Sequence, residues 1–243
     1  MTAAILLTIG IVLGVFVVVQ LLWVKLNGRR VPLPKVSRLP RKIGAGAPLR
    51  YAVLGDSTSV AQGGDYSQGY AVATAEYLAS RYEVEWLNLG ESGARAGSVL
   101  HRQLPAALAF SPDIILIAVG ANDVTHFTKM TIFTAQLEQI LHSLRQANPD
   151  VRVILTGAPA MGTIPRFPLP LRSIMGRRTL QINGIVKELA KKHKAVFAPI
   201  AEQTEELYRA HPELFAADKF HPTSEGYLPW IPILQRAIDK AEG

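Results

Sequence analysis

Three residue types that together make a nucleophile and its base stand far apart in this chain: Ser57 near the start of its globular part, and Asp218 and His221 close to the C-terminus. A histidine that acts as a base needs one ring nitrogen toward the hydroxyl and the other held by an acceptor that fixes the tautomer. A carboxylate three residues upstream, on a turn ended by Pro222, can be that acceptor. Two further segments offer hydrogen-bond donors for a developing oxyanion. Asn88-Leu-Gly-Glu-Ser-Gly93 can bring a backbone N–H close to a reacting carbonyl because glycine has no Cβ, and Gly120-Ala-Asn122-Asp123 supplies a neutral amide that does not titrate. Asp123 reads as the residue that holds its loop.

Taken singly, each segment has a plainer reading. Gly55-Asp-Ser57-Thr58-Ser59, with Gly63 and Gly64 behind it, also suits an anion-cradling turn after a first strand, so a noncatalytic, phosphate-binding flavodoxin-like module stays open. Gly93 and Asn122 fit ordinary turns. The Asp56–Ser59 stretch can open a helix whose N-terminal amides favour negative charge. His126, near the Asn122 loop, is a candidate for touching substrate.

The elements that must position these residues alternate between strand and helix. Apolar runs at Tyr51–Leu54, Val84–Leu89, Ile114–Val119, Val151–Thr156 and Ala195–Ile200 predict five parallel strands. Helical patterns fill the gaps at Tyr70–Tyr82, Gly97–Ala109, Thr131–Ala147 and Gly176–His193, and a last helix follows Ser224, its expected cap. The predicted architecture is a three-layer α/β/α sandwich over residues 50–243 with right-handed crossovers. Ser57, Gly93 and Asn122 each then follow a strand at its carboxyl end, where open α/β sheets place their sites. The connection Gly157–Met175 is long and apolar, and Met161 and Phe167 within it are candidates for lining an acyl pocket.

Four blocks in this order resemble the SGNH/GDSL hydrolase superfamily: Gly55-Asp-Ser57, Asn88 to Gly93, Gly120-Ala-Asn122-Asp123, and Asp218-Lys-Phe-His221-Pro222. Thr58 stands where the motif's naming leucine is expected, which removes no chemical group. The resemblance implies Ser57 as nucleophile, His221 as base, Asp218 as the orienting acid, and the Ser57 N–H, Gly93 N–H and Asn122 side chain as oxyanion donors. It implies a flavodoxin-like SGNH hydrolase fold and an esterase or lipase acting through an acyl-enzyme, with no cofactor and no metal. Carbohydrate O-deacetylation and thioester hydrolysis are alternatives on the same groups. The absence of any Gly-x-Ser-x-Gly argues against the other common serine-hydrolase elbow.

Composition bounds the rest. A chain of 243 residues with 49% apolar content suffices for one large domain, and with no cysteine there is neither a disulfide nor a thiolate nucleophile. The formal charge of +7 comes from eight Lys and Arg among the first 50 residues, which leave 18 basic against 19 acidic residues, so no nucleic-acid partner is expected. Residues 3–24 carry no charge and would extend roughly 33 Å as a helix. The expectation is one N-terminal transmembrane helix over residues 1–24, with Trp23 at the interface, then a basic Pro-containing linker over 25–49. The positive flank favours a single-pass protein of the cell membrane with its catalytic domain on the cytoplasmic side, acting on an ester that can be a lipid. A secretory signal, placing the domain outside, is the alternative.

Overall fold

The computed structural model describes residues 2–27 and 29–243. In chain order the elements are α1 (Thr2–Asn27), β1 (Arg41–Ile43), β2 (Ala47–Gly55), α2 (Tyr70–Ala79), β3 (Tyr82–Asn88), α3 (Ala96–Ser98), α4 (Leu104–Phe110), β4 (Ile114–Ala118), α5 (Ala121–Thr125) and α6 (Met130–Ala147). Then follow β5 (Arg152–Leu155), α7 (Leu171–Lys192), β6 (Val196–Phe197), α8 (Ile200–Ala210), α9 (Ser224–Tyr227) and α10 (Trp230–Glu242). A π-helical turn, Val99–Gln103, joins α3 to α4.

The sheet order is β1-β3-β2-β4-β5-β6. Strands β2 to β6 pair in parallel, with β2 central between β3 and β4, as the apolar runs predicted. β4 is buried at every position, Ile-Ile-Leu-Ile-Ala, which is what a strand covered on both faces requires. Helices α2, α8 and α10 pack on one side and α4, α6 and α7 on the other. On α6 the buried residues Phe133, Leu137, Ile140, Leu141 and Leu144 form one stripe at helical spacing.

Two parts of the expected architecture are corrected. The sheet has six strands: β1, inside the segment read as a linker, pairs antiparallel with β3 through Arg41↔Trp86 and Ile43↔Val84. It escaped the sequence reading because it is three residues long and two of them are cationic. Those charges suit an edge strand, where Lys42 meets Glu83 at 3.4 Å and discourages further pairing.

The second correction concerns the membrane span. Among the described residues no helix is long and apolar enough to cross a membrane. The span expected over residues 3–24 and the single-pass, inward-facing placement derived from it are therefore withdrawn; Met1 lies outside the described residues. Helix α1 instead turns part of its surface to the domain. Val17 packs against the core, and buried Gln20 donates from Nε2 to Leu169 O at 2.6 Å.

Smaller departures are local. α7 begins at Leu171 rather than Gly176. α8 was not predicted, although Ile200, Ala201, Thr204 and Tyr208 lie on its buried side. Thr223, not Ser224, caps α9 by accepting from Gly226 N, while Ser224 Oγ accepts from Asp65 N at 2.9 Å.

Candidate active site

Ser57 sits two residues beyond Gly55, the last residue of the central strand β2, and is 5% exposed. The turn that carries it is held from inside. Asp56 Oδ1 accepts from both Thr58 N and Thr58 Oγ1 at 2.9 Å, and Ser59 Oγ donates to Asp56 O at 2.7 Å. Residues 56–63 form successive turns and not the helix that the sequence allowed. Donors at Ser57 are thus single amides rather than the end of a helix dipole.

His221 arrives from the opposite end of the chain on a closed loop. Phe215 and Pro222 form an antiparallel bridge, and Ala216 N donates to His221 O at 2.8 Å. The fold brings His221 Nε2 to 2.9 Å from Ser57 Oγ, and His221 Nδ1 to 2.6 Å from Asp218 Oδ2. Asp218 Oδ1 also accepts from the N–H groups of Phe220 and His221, both at 3.0 Å. A carboxylate so placed makes Nδ1 the protonated nitrogen and leaves the Nε2 lone pair for the serine.

The residues expected to donate lie together. Ser57, His221, Gly93 and Asn122 border one open cleft of about 450 Å³. Among the described residues neither the Ser57 N–H nor the Gly93 N–H is taken by an acceptor in the protein. Asn122 Nδ2 donates to Ala94 O at 3.1 Å, and an amide nitrogen has a second hydrogen to offer. Glycine is needed at 93 for a different reason from the one expected. A Cβ there would meet nothing within 4 Å, but φ is +81°, in the left-handed region that other residues enter only with strain.

Residues 53–228 match the GDSL-like Lipase/Acylhydrolase family. The chain belongs to that family. Its members hydrolyse esters, and this chain is an ester hydrolase. No curated protein matches the sequence. Solved structures share the fold: TesA at 22% identity and TM-score 0.65, covering 79% of this chain and 99% of that one. A lipase/acylhydrolase from Enterococcus faecalis aligns at 23% identity and TM-score 0.64 over 79% and 96% of the two chains. An acetylxylan esterase from Geobacillus stearothermophilus, solved as a catalytic mutant, aligns at 22% identity and TM-score 0.60 over 82% and 96%.

Electrostatics at the hydrolase site set two of its buried carboxylates, Asp218 and Asp56, apart. Burial alone would raise the Asp218 carboxyl, but the hydrogen bond and charge of His221, with the two backbone N–H groups, outweigh it and hold the group below its ordinary range. Asp56 is pushed up to about 6 by burial, which its Thr58 hydrogen bonds and the nearby His221 only partly offset. Two aspartates that both feel the His221 charge thus shift in opposite directions.

The weaker site candidates fall in different places. His126 and Phe167 border the open cleft, and the His126 ring is oriented by Nδ1 against Asn122 O at 2.9 Å. Met161 is fully buried and borders a small, partly open cavity of about 20 Å³ that shares Ser57, Phe220 and His221 with the cleft. The connection 157–170 packs onto the core: Ala158, Ile164 and Phe167 are all buried. Gly63 and Gly64, which fitted a phosphate loop, instead lie under the His221 loop, so that reading loses its support.

Side chains outside the reacting set hold these segments in place; Asp123 was expected to do so, whereas Asn88 had no role assigned and Asn183 carried no recognisable signal. Asn88 binds the first block to the second, donating to Ser59 O at 2.7 Å and accepting from Gly90 N at 2.9 Å. Asn183 on α7 exchanges two hydrogen bonds with the backbone of Ala158, at 2.8 and 2.9 Å. Asp123 Oδ2 accepts from Ala96 N at 3.0 Å and so ties its loop to α3. Each is a polar side chain bonded to a backbone distant in sequence, a relation that spacing does not encode.

Proposed function

We propose that the chain cleaves carboxylic esters by two-step acyl transfer on Ser57. Ser57 Oγ attacks the carbonyl carbon while His221 Nε2 takes its proton, and Asp218 keeps the ring in the required tautomer and stabilises the imidazolium that forms. The tetrahedral oxyanion is received by the Ser57 N–H, the Gly93 N–H and Asn122 Nδ2. His221 returns its proton to the departing alcohol, and water activated by the same nitrogen then releases the acid. The observation that carries this reading is the continuous pair of contacts from Ser57 Oγ through the His221 ring to Asp218, at 2.9 and 2.6 Å.

O-deacetylation is a second reading on the same groups, favoured by the small, largely apolar cavity beside Ser57. Its roughly 20 Å³ has room for a group the size of one methyl. A chain-length series of acyl esters on the full chain separates the two, since a medium chain must lie in the open cleft and an acetyl group need not. A fluorophosphonate probe tests the mechanism itself. Wild type is expected to label covalently and Ser57→Ala to stay unlabelled; folded wild type that does not react would remove the support for acyl-enzyme chemistry.

A further inference from the structure

The turn that carries Asn122 is met at both ends by one helix, α7. At its start, a Cβ on Gly120 would stand 3.1 Å from Ile182 Cγ2, so the helix lies directly against the residue that opens the turn. Beyond Asn122, the half-buried Arg178 reaches across from the same helix. Its Nε donates to Val124 O at 3.2 Å and its Nη2 to Thr128 O at 2.7 Å. The guanidinium carbon stands 4.9 Å from the centre of the Phe127 ring. One side chain thus grips three residues of the segment that follows Asn122.

That segment needs such a grip. Asn122 lies in the first turn of α5, a helix of five residues, too short to persist without outside contacts, and its closing carbonyls need donors from elsewhere. The front of the turn is tied to α3 by Asp123, whereas the rear rests on Arg178. Phe127 there has a φ of +53°, a left-handed conformation that a bulky residue keeps only where its surroundings impose it. Its ring is 40% exposed, so burial does little to hold it. His126 sits inside the gripped stretch and binds back to Asn122 O through Nδ1 at 2.9 Å, which couples any shift of residues 124–128 to Asn122.

We propose that Arg178 is a positioning residue of the acyl-transfer reaction: its two-pronged hold on Val124 and Thr128 sets where the Asn122 amide stands when the oxyanion forms. A guanidinium suits this role because its N–H groups leave one rigid plane at fixed angles, so the two carbonyls it binds are fixed relative to α7. Lysine would keep the charge and lose the fork. Met175, one turn earlier on α7, borders the Ser57 cleft, so a single helix supplies part of the cleft wall and fixes a donor beside it. The proposal rests on Asn122 donating to the oxyanion formed at Ser57, and deepens that reading by naming what holds the donor.

A double-mutant cycle with p-nitrophenyl butyrate as the substrate tests it. Arg178→Met, which keeps a long stem, is expected to lower kcat by about tenfold to 100-fold while KM changes little, and Arg178→Lys to lower it less. In an Asn122→Ala background the same substitutions should cost about twofold or less, because the donor they misplace is already gone. Equal costs in the two backgrounds would show that Arg178 only supports the fold, and would overturn the proposal, as would wild-type kcat in Arg178→Met. Should Arg178→Met not fold, Arg178→Lys carries the cycle with the same two readings. Asn122→Ala by itself keeps the questions apart: if it retains wild-type kcat, the oxyanion reading falls and the positioning role with it. If it loses activity while the Arg178 cost is undiminished, only the positioning role falls.

Discussion

Gln103 makes a two-point hydrogen bond with the backbone of Gly55. Its Oε1 accepts from Gly55 N and its Nε2 donates to Gly55 O, both at 2.8 Å and both buried. Gln103 closes the π-helical turn between α3 and α4, and Gly55 is the last residue of β2 before Asp56 and Ser57. The wider turn aims the amide at the strand end, as such turns often do beside functional sites. Gln103→Leu would leave the Gly55 N–H buried without an acceptor. Urea unfolding is expected to show a loss of about 1–3 kcal/mol, accompanied by a lower kcat as Ser57 drifts from His221.

Gly63 supports the other half of the pair. A Cβ at this position would stand 2.8 Å from His221 Cβ and 2.6 Å from Pro222 O, and its φ is +99°. Gly63→Ala must push the histidine loop away from Ser57. A displacement near 1 Å at a reacting centre costs on the order of 100-fold, so kcat is expected to fall by about that factor while substrate binding changes less. Steady-state kinetics on folded variant would show it, and unchanged kcat would mean that the loop has slack.

Asn122→Ala removes the proposed oxyanion donor without disturbing much packing, because the side chain's hydrogen bond inside the protein is the one to Ala94 O at 3.1 Å. Turnover is expected to drop by roughly 100-fold to 1000-fold with little change in thermal stability. A variant that keeps wild-type kcat would move the oxyanion site elsewhere.

Stability should vary with pH through the buried carboxylates, Asp218 in one sense and Asp56 and Asp123, both raised by burial, in the other. Asp218 has its folded pKa depressed, so its contribution is present above its unfolded value, about 3.9, and is lost as pH falls through the lower folded value. Asp56 has its folded pKa raised from 3.8 to about 6, so the folded chain retains a proton that the unfolded chain has released. Stability therefore declines as pH rises from about 4 to about 6, by on the order of 3 kcal/mol, and is flat in this component above that. Asp56→Asn, which keeps an acceptor for Thr58, is expected to remove the Asp56 share of the decline and leave that of Asp123, and Asp218→Asn to remove the loss at the acid end. Unfolding curves at a series of pH values would reveal a variant that keeps the wild-type slope.

β4 was legible because a strand buried on both faces must be an unbroken apolar run, and β2 and β5 read the same way over their buried ends, Tyr51–Leu54 and Val153–Leu155. The three-residue edge strand β1 was not, since its stability comes from pairing with β3 rather than from side chains of its own. Residues 2–27 show how an apolar run leaves its own fate open: the same composition suits a lipid-facing span or a helix that rests Val17 and Gln20 against a domain. Periodicity reports what a helix is made of, not what lies beside it.

At the site, sequence alone determined the identities: a serine after the first long strand, a glycine and an asparagine after the next two, and an aspartate three residues before a histidine. Parallel strands side by side then bring those strand ends to one edge, which is why order along the chain foretold proximity. Only the tertiary structure decided the contacts that hold the groups in place, among them Gln103 on Gly55, Asn88 on Ser59, Asn183 on Ala158 and Arg178 on Val124. A side chain that bonds to a distant backbone carbonyl or amide needs only a donor or acceptor at the right point in space. Main-chain groups look alike at every position, so the sequence carries no mark of which ones meet.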